Sequence, residues 1–242
     1  MKKMSNPYFR FKQFTVFHNH CAMKVGTDGV LLGSWVNTSG CRKLLDVGSG
    51  SGLIALMLAQ RSQAQINAIE IEENAFRQSL ENINHSPWKD RITVYHTSFI
   101  HYQQITQEKQ YDLIASNPPY FSSSQLPPSP KRQFARHSDN SLPPDMLIAC
   151  ARKMLSENGK IALILPASEN LLLKKILIEN NLFICRRTWV RTLHHLPPKR
   201  MLIEAGKIPE PMEENELTIE MKPYVYSEEF KALIKDFYLD FA

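Results

Sequence analysis

Four consecutive residues, Asn117-Pro118-Pro119-Tyr120, hold the groups best suited to chemistry on a planar amine. They follow the apolar run Leu113-Ile114-Ala115, which reads as a buried strand, and they open a loop instead of a helix. Two prolines in a row fix φ and remove two backbone donors, so the Asn117 side chain and the Pro118 carbonyl can both face outward as acceptors. Two acceptors beside an aromatic face suit a planar group bearing an NH2: the acceptors take its two protons and Tyr120 stacks on its ring. Asn-Pro-Pro is also a common way to end a strand, and such turn residues can be explained without chemistry.

A second motif narrows the chemistry. Leu44-Leu45-Asp46-Val47 runs as a short apolar strand into Gly48-Ser49-Gly50-Ser51-Gly52, and Leu53 to Ala59 then reads as a helix. The glycines permit positive φ and let backbone pass close to a ligand. Their spacing is G-x-G-x-G, not the G-x-G-x-x-G of dinucleotide sites, so no diphosphate cradle is implied. Asp46, at the strand end, would repel a phosphate but attract an ammonium. A further strand ends at Glu70, an acid placed to accept both hydroxyls of a ribose. A ligand with a ribose, a positive amine and no phosphate fits S-adenosylmethionine better than NAD.

These groups need a scaffold that brings them together. Candidate strands cover 43–47, 66–71, 92–95, 111–116 and 160–165. Stretches 73–84 and 146–155 read as helices, the second entered through Pro143-Pro144 and stopped by Gly159. Short apolar strands between helices imply a parallel sheet covered on both faces. Ligands then sit at the carboxyl ends of the strands, where Asp46, Glu70 and Asn117 all fall. Beyond 165, Ser168-Glu169-Asn170 reads as a helix cap, and 182–193 with 200–205 as an antiparallel hairpin. No linker separates two domains. The expectation is one domain over 1–242, with a basic aromatic segment at 1–24 and a Ser/Pro-rich, substrate-facing loop at 122–140.

The glycine loop and the N-P-P-Y turn together resemble the class I amino-methyltransferases. Phe11-Lys12-Gln13-Phe14, the run Met23 to Gly33, Glu81-Asn82-Ile83-Asn84 with Ser86-Pro87-Trp88, and Phe237-Tyr238-Leu239 are similar to the bacterial tRNA1(Val) adenine-37 N6-methyltransferases. The resemblance covers nearly the whole chain, and Lys24 to Gly33 is its family-specific part. It implies an α/β, Rossmann-like fold: a mostly parallel seven-stranded sheet with a terminal antiparallel hairpin. It also implies S-adenosylmethionine as cofactor and methyl transfer to adenine N6 in the anticodon loop of a tRNA. Asn117, Pro118 and Tyr120 are then the catalytic set, and no strong general base is required. Asp46, Gly48, Gly50 and Gly52 would meet the methionine part, Glu70 the ribose, and Ile71 the adenine; Thr27-Asp28-Gly29 match the family's N-terminal cofactor-contacting segment. Methyltransferases commonly follow the third strand with an Asp that bonds the cofactor's adenine amine. Here Ser98 stands there, followed by Phe99; a serine can accept but is shorter and uncharged. Asp112, at the start of its strand, reads as structural.

Charge placement supports a polyanionic partner. The net charge is +5, but residues 1–208 carry 26 Lys and Arg against 15 Asp and Glu, while 209–242 carry 3 against 9. No acid precedes Asp28, where Lys2, Lys3, Arg10, Lys12 and Lys24 interleave with Tyr8, Phe9, Phe11, Phe14 and Phe17. None lies between Glu179 and Glu204, a segment holding Arg186, Arg187, Arg191, Lys199 and Arg200. Cations beside aromatic faces suit RNA, although the phenylalanines pack a core equally well. No apolar run reaches the roughly 20 residues of a membrane span, and a cytoplasmic protein is expected. Cys21, Cys41, Cys150 and Cys185 show no paired spacing and are expected as free thiols. His18-Asn19-His20-Cys21 offers too few well-spaced ligands for a metal. Two other readings stay open: a glutamine N5-methyltransferase, since a carboxamide presents the same planar NH2, and a non-catalytic RNA-binding relative. A monomer is favoured slightly over an oligomer.

Overall fold

The computed structural model describes residues 6–21, 23–106, 110–118 and 142–240. Pro119, Tyr120, the loop 122–140 with Lys131, Arg132 and Arg136, and Lys2 and Lys3 lie outside them. The apolar runs form a parallel set: β3 (Lys43–Val47), β4 (Gln65–Glu70), β5 (Ile92–His96), β6 (Tyr111–Ser116) and β7 (Leu155–Pro166). With β8 (Phe183–Leu193) and β9 (Arg200–Gly206) they make a seven-strand core in the order β8-β9-β7-β6-β3-β4-β5. Only β9 runs antiparallel to its neighbours there. Four of the five residues of β3 are buried, as expected of a strand covered on both faces.

The chain adds two strands beyond that core. β10 (Glu213–Lys222) pairs parallel with β8, and β11 (Val225–Tyr226) pairs antiparallel with β10, making nine strands in one sheet among the described residues. A separate two-stranded ribbon, β1 (Tyr8–Arg10) with β2 (Thr15–Phe17), stands outside it.

Helices cover both faces. One face carries α1 (Thr27–Trp35), α2 (Leu53–Arg61), the first ribbon and α7 (Glu228–Ile234); the other carries α4 (Phe99–Ile105), α5 (Pro144–Met154) and α6 (Asn170–Glu179). A further helix, α3 (Glu73–Asn84), follows β4. Gly29 and Gly33 let α1 lie directly on α2. A Cβ on Gly33 would stand 2.7 Å from the Met57 sulfur, and one on Gly29 2.9 Å from a Leu53 methyl.

Two expectations need correction. Gly159 does not stop a helix; it lies inside β7, whose strand begins five residues before the expected start at 160. There it permits close approach, because a Cβ would collide with the Tyr111 carbonyl oxygen. Ser168 caps nothing: a 3-10 turn, Ala167–Glu169, leads into α6 without a side-chain cap. Of the two readings of the N-terminal phenylalanines, core packing holds for Phe11 and Phe14, while Tyr8 is exposed and Phe9 and Phe17 are half-buried. Phe11 and Phe14 are buried and stack at 4.6 Å, with Trp88 edge-on to Phe14. Asp112 is structural, accepting the amides of Arg42 and Lys43 at 2.8 and 3.0 Å.

Candidate active site

Val47 ends β3 and the chain turns at once. The amides of Gly48 and Ser49 both donate to the Ile69 carbonyl, at 2.9 and 3.0 Å, which pins the turn against β4. Gly48 and Gly50 have φ of 73° and 54°, and a Cβ on either would meet nothing within 4 Å. Their open sides are bare backbone facing space, in a conformation that side chains rarely adopt. Glu70 completes the loop from the neighbouring strand. Its Oε2 accepts the Gly50 amide at 2.7 Å, and its Oε1 accepts those of Ile71 and Glu72 at 2.8 and 2.9 Å. Each carboxylate oxygen offers about two acceptor positions. Oε1 is therefore full, and Oε2 keeps one position for a ligand. The expectation of two ribose hydroxyls on this carboxylate narrows to one.

Beside Glu70 lies a cavity of about 380 Å3. Val47, Ile69, Ile71, Phe99, Ile100 and Leu142 give it apolar walls; Gly48, Gly50, Glu70, Ser98, Asn117 and Pro118 also line it. A flat heteroaromatic ring fits between the apolar walls, with an attached hydroxyl in reach of the free acceptor on Glu70. Ser98 is the N-cap of α4, its Oγ accepting the His101 amide at 3.1 Å, and its hydroxyl proton remains for a ligand. Cys21 reaches the same cavity, but burial and the charges of Glu70 and Glu72 push its thiol up to about 11, so it is no nucleophile at neutral pH.

A second cavity, about 500 Å3, lies on the other side of the glycine loop. The first turn of α1 (Thr27, Asp28, Gly29) forms one wall, and the ends of β8, β9 and β10 with Tyr226 and Tyr238 form another. Asp28 Oδ2 accepts from Arg200 Nε at 2.9 Å, joining these walls across the cavity. Asn117, Gly48, Gly50 and Met23 line both cavities. The Ser116 hydroxyl donates to the Val47 carbonyl at 2.8 Å, which sets Asn117 beside Gly48.

Two expected residues fall elsewhere. Asp46 is fully buried and lines neither cavity; its Oδ2 accepts the Ala55 amide in the first turn of α2 at 3.0 Å. Burial, offset by that hydrogen bond and reinforced by the charge of Glu70, pushes its carboxyl up to about 7. Gly52 also stays outside both, as the left-handed N-cap of α2. Met23, Arg200, Thr192, Tyr226 and Leu142 also line the cavities from distant segments that no local motif marks; in the sequence Met23 carries only a resemblance and Arg200 only a charge.

The basic segment 186–200 is not an open cationic face. Arg186 stacks 3.7 Å above Trp35 and pairs with buried Glu204 at 2.9 Å. Arg187 is buried and bonds Glu214 and Asn170, and Arg191 pairs with Glu216. Acids absent from the segment arrive from β9, β10 and α1. Asn82 plays an unexpected part, donating to the carbonyls of Phe17 and Ser51 and accepting the Phe17 amide, so it ties the N-terminal ribbon to the glycine loop.

The family model described as the methyltransferase small domain matches residues 14–183. A relative from Parabacteroides distasonis, named tRNA1(Val) (adenine(37)-N6)-methyltransferase, is 50% identical over 98% of this chain and 99% of its own length. One of the same name from Trichodesmium erythraeum is 47% identical over 98% and 100%. Among solved structures, a predicted O-methyltransferase from Agrobacterium tumefaciens superposes with a TM-score of 0.64 at 18% identity, covering 86% of this chain and 95% of that one. A ribosomal protein L11 methylase from Lactobacillus delbrueckii gives 0.52 at 16%, covering 74% and 76%. At those identities the likeness is one of fold.

Proposed function

The chain belongs to the tRNA1(Val) (adenine(37)-N6)-methyltransferase family, and on that footing we propose that Asn117 is the point where cofactor and acceptor base meet. The protein is an S-adenosylmethionine-dependent methyltransferase acting on adenine N6 in tRNA. The observation that carries the site assignment is that Asn117 lines two cavities which, among the described residues, otherwise share only Gly48, Gly50 and Met23.

The residues present fit this cofactor. Apolar walls at Ile71 and Phe99 suit its adenine, the remaining acceptor on Glu70 suits a ribose hydroxyl, and bare backbone at Gly48 and Gly50 leaves room for the methionine part, with Thr27-Asp28-Gly29 beyond. When bound it supplies a methyl on a sulfonium, whose sulfur leaves as a neutral thioether. Asp46 acts indirectly in this reading, holding the start of α2 beneath the loop.

The adenine amine is a poor nucleophile because its lone pair is delocalised into the ring. Asn117 Oδ1 and the Pro118 carbonyl accept hydrogen bonds from its two N–H groups, favour a pyramidal nitrogen and stabilise the positive charge that grows on it; once the methyl has transferred, one of those protons is lost to solvent. Fixing that nitrogen at the cavity junction supplies alignment. Tyr120, from its place in the motif, is assigned to stack on the base. The target is read as adenine 37 in the anticodon loop, and the enzyme as a cytoplasmic protein, with a monomer slightly favoured. Among the described residues no helix is long and apolar enough to cross a membrane.

Incubation with methyl-labelled S-adenosylmethionine and either bulk tRNA or a release-factor protein tests the reading. Label recovered as N6-methyladenosine in tRNA is the expected result. Label in a protein glutamine would move the acceptor, and label in neither would mark a non-catalytic relative.

A further inference from the structure

Tyr224 occupies a place that neither backbone preference nor packing explains. It follows Pro223 in the two-residue turn between β10 and β11, where Lys222 pairs with Val225 and Glu220 with Tyr226 across a register shift. Its φ is 67°, and the residue is 96% exposed. A Pro-led turn with positive φ at its second central position ordinarily carries Gly or Asn there. A bulky side chain is disfavoured in that conformation, and this one buries almost nothing in return.

The turn stands at the rim of the working cavity. Glu220 and Tyr226, paired just below it, both line the space that Asn117 shares. Lys222 belongs to the turn, and Lys199 lines the same cavity. Both lysines are exposed, and among the described residues neither forms an ion pair, unlike Arg186, Arg187, Arg191 and Arg200. Asp28 lines the same cavity but is held by Arg200; beyond Glu220 the acids nearest the turn in sequence are Glu228, taken by Lys231, and exposed Glu229.

We propose that Tyr224, with Lys222 and Lys199, is a docking surface for the single-stranded RNA flanking the target adenine: the ring stacks on an unpaired base and the lysines meet its phosphates. This rests on the reading of tRNA as substrate. An exposed aromatic face beside unpaired cations is the combination that binds unpaired nucleotides without reading their sequence.

The test uses the full chain, with tRNA binding measured at several salt concentrations for wild type, Tyr224→Gly, Tyr224→Phe and the double variant Lys199→Ala, Lys222→Ala. Tyr224→Gly removes the strained side chain, so its Tm stays equal or rises. Its tRNA Kd rises about tenfold, as expected for one lost stacking contact, while S-adenosylmethionine affinity is unchanged. Tyr224→Phe keeps wild-type affinity. The double variant flattens the salt dependence by about 1.4 log units per log unit of salt, from ~0.7 per phosphate contact on single strands. Tyr224→Gly binding within twofold of wild type overturns the proposal. So does a change in oligomeric state, which would make the turn a protein contact. Wild-type methylation is followed alongside: no label in tRNA counts against the substrate reading, whereas normal methylation with unaltered binding in every variant sinks the docking surface alone.

Discussion

The Glu70 carboxylate and the Gly50 amide are joined by a 2.7 Å hydrogen bond that ties the end of β4 to the glycine loop. With the amides of Ile71 and Glu72 also on this carboxylate, one side chain sets the loop's shape and offers the cavity its acceptor. Glu70→Ala removes both. Cofactor affinity should fall by ~1.5–3 kcal/mol, the range for hydrogen bonds to a charged group. Calorimetry checks the affinity, and a thermal melt should show a lower Tm even without ligand. An affinity loss with no change in the ligand-free melt would deny Glu70 its hold on the loop.

Asn117→Ala should separate binding from chemistry. Cofactor affinity stays near wild type while turnover on tRNA drops ~100-fold or more, the scale for losing one group that stabilises transition-state charge. Single-turnover kinetics with labelled cofactor read the chemical step directly; a rate near wild type would remove Asn117 from the mechanism.

Asp46 predicts a pH dependence of unusual sign. Its carboxyl titrates near 7 in the folded chain against 3.8 for an ordinary one, so between these values the folded state holds a proton that the unfolded state has lost. Its contribution to stability is therefore fully present below pH 3.8 and is lost as pH rises toward 7, by about 1.4 kcal/mol per pH unit at most. Asp46→Asn keeps an acceptor for the Ala55 amide and stays neutral. It should raise Tm at pH 8 and flatten the Tm profile between pH 5 and 7 relative to wild type. Parallel profiles would mean that Asp46 is ionised throughout.

Arg186 and Arg187 should differ in stability, not in RNA binding. Arg186→Ala strands Glu204, which is 3% exposed, at a cost of ~3–5 kcal/mol for a buried charge left without its partner. Arg187→Ala should cost less, because the side chain of its partner Glu214 is 42% exposed and regains water. Urea unfolding at pH 7 ranks them, and Glu204→Gln should rescue much of the Arg186→Ala loss. Equal losses would contradict the ranking.

What could be read in advance was local. The runs 43–47 and 111–116 and the helix 73–84 matched their elements because a strand buried on both faces is continuously apolar and α3 is amphipathic. The edge strand β10 escaped notice because most of its residues are polar and exposed. Its register with β8 sets Glu214 opposite Arg187 and Glu216 opposite Trp189, so charges distant in sequence cancel in space. Arg187-Trp189-Arg191 and Glu214-Glu216-Thr218 alternate with the same period of two, a signal that was present but needed the pairing to be meaningful. Likewise no spacing rule links Asp28 to Arg200, 172 residues away. Asp46 misled because its position at the strand end matched a ligand contact while its depth depended on α2 closing over it.

The N-terminal ribbon meets the far end of the chain. The Lys12 amide donates to the Phe237 carbonyl, Lys12 Nζ to the Lys235 carbonyl 223 residues away, and the Phe9 ring lies 5.3 Å from Tyr238. Through Asn82 the same ribbon holds the glycine loop. Closing a loop of that length adds little to its entropic cost, which grows only logarithmically, but it does fix an order of events during synthesis. Residue 237 must leave the ribosome before residues 9–12 can find their seat. A nascent chain can therefore stack its central strands early while the wall over its glycine loop waits for the final helix, and a transcript cut short before that helix yields a sheet without a finished active site.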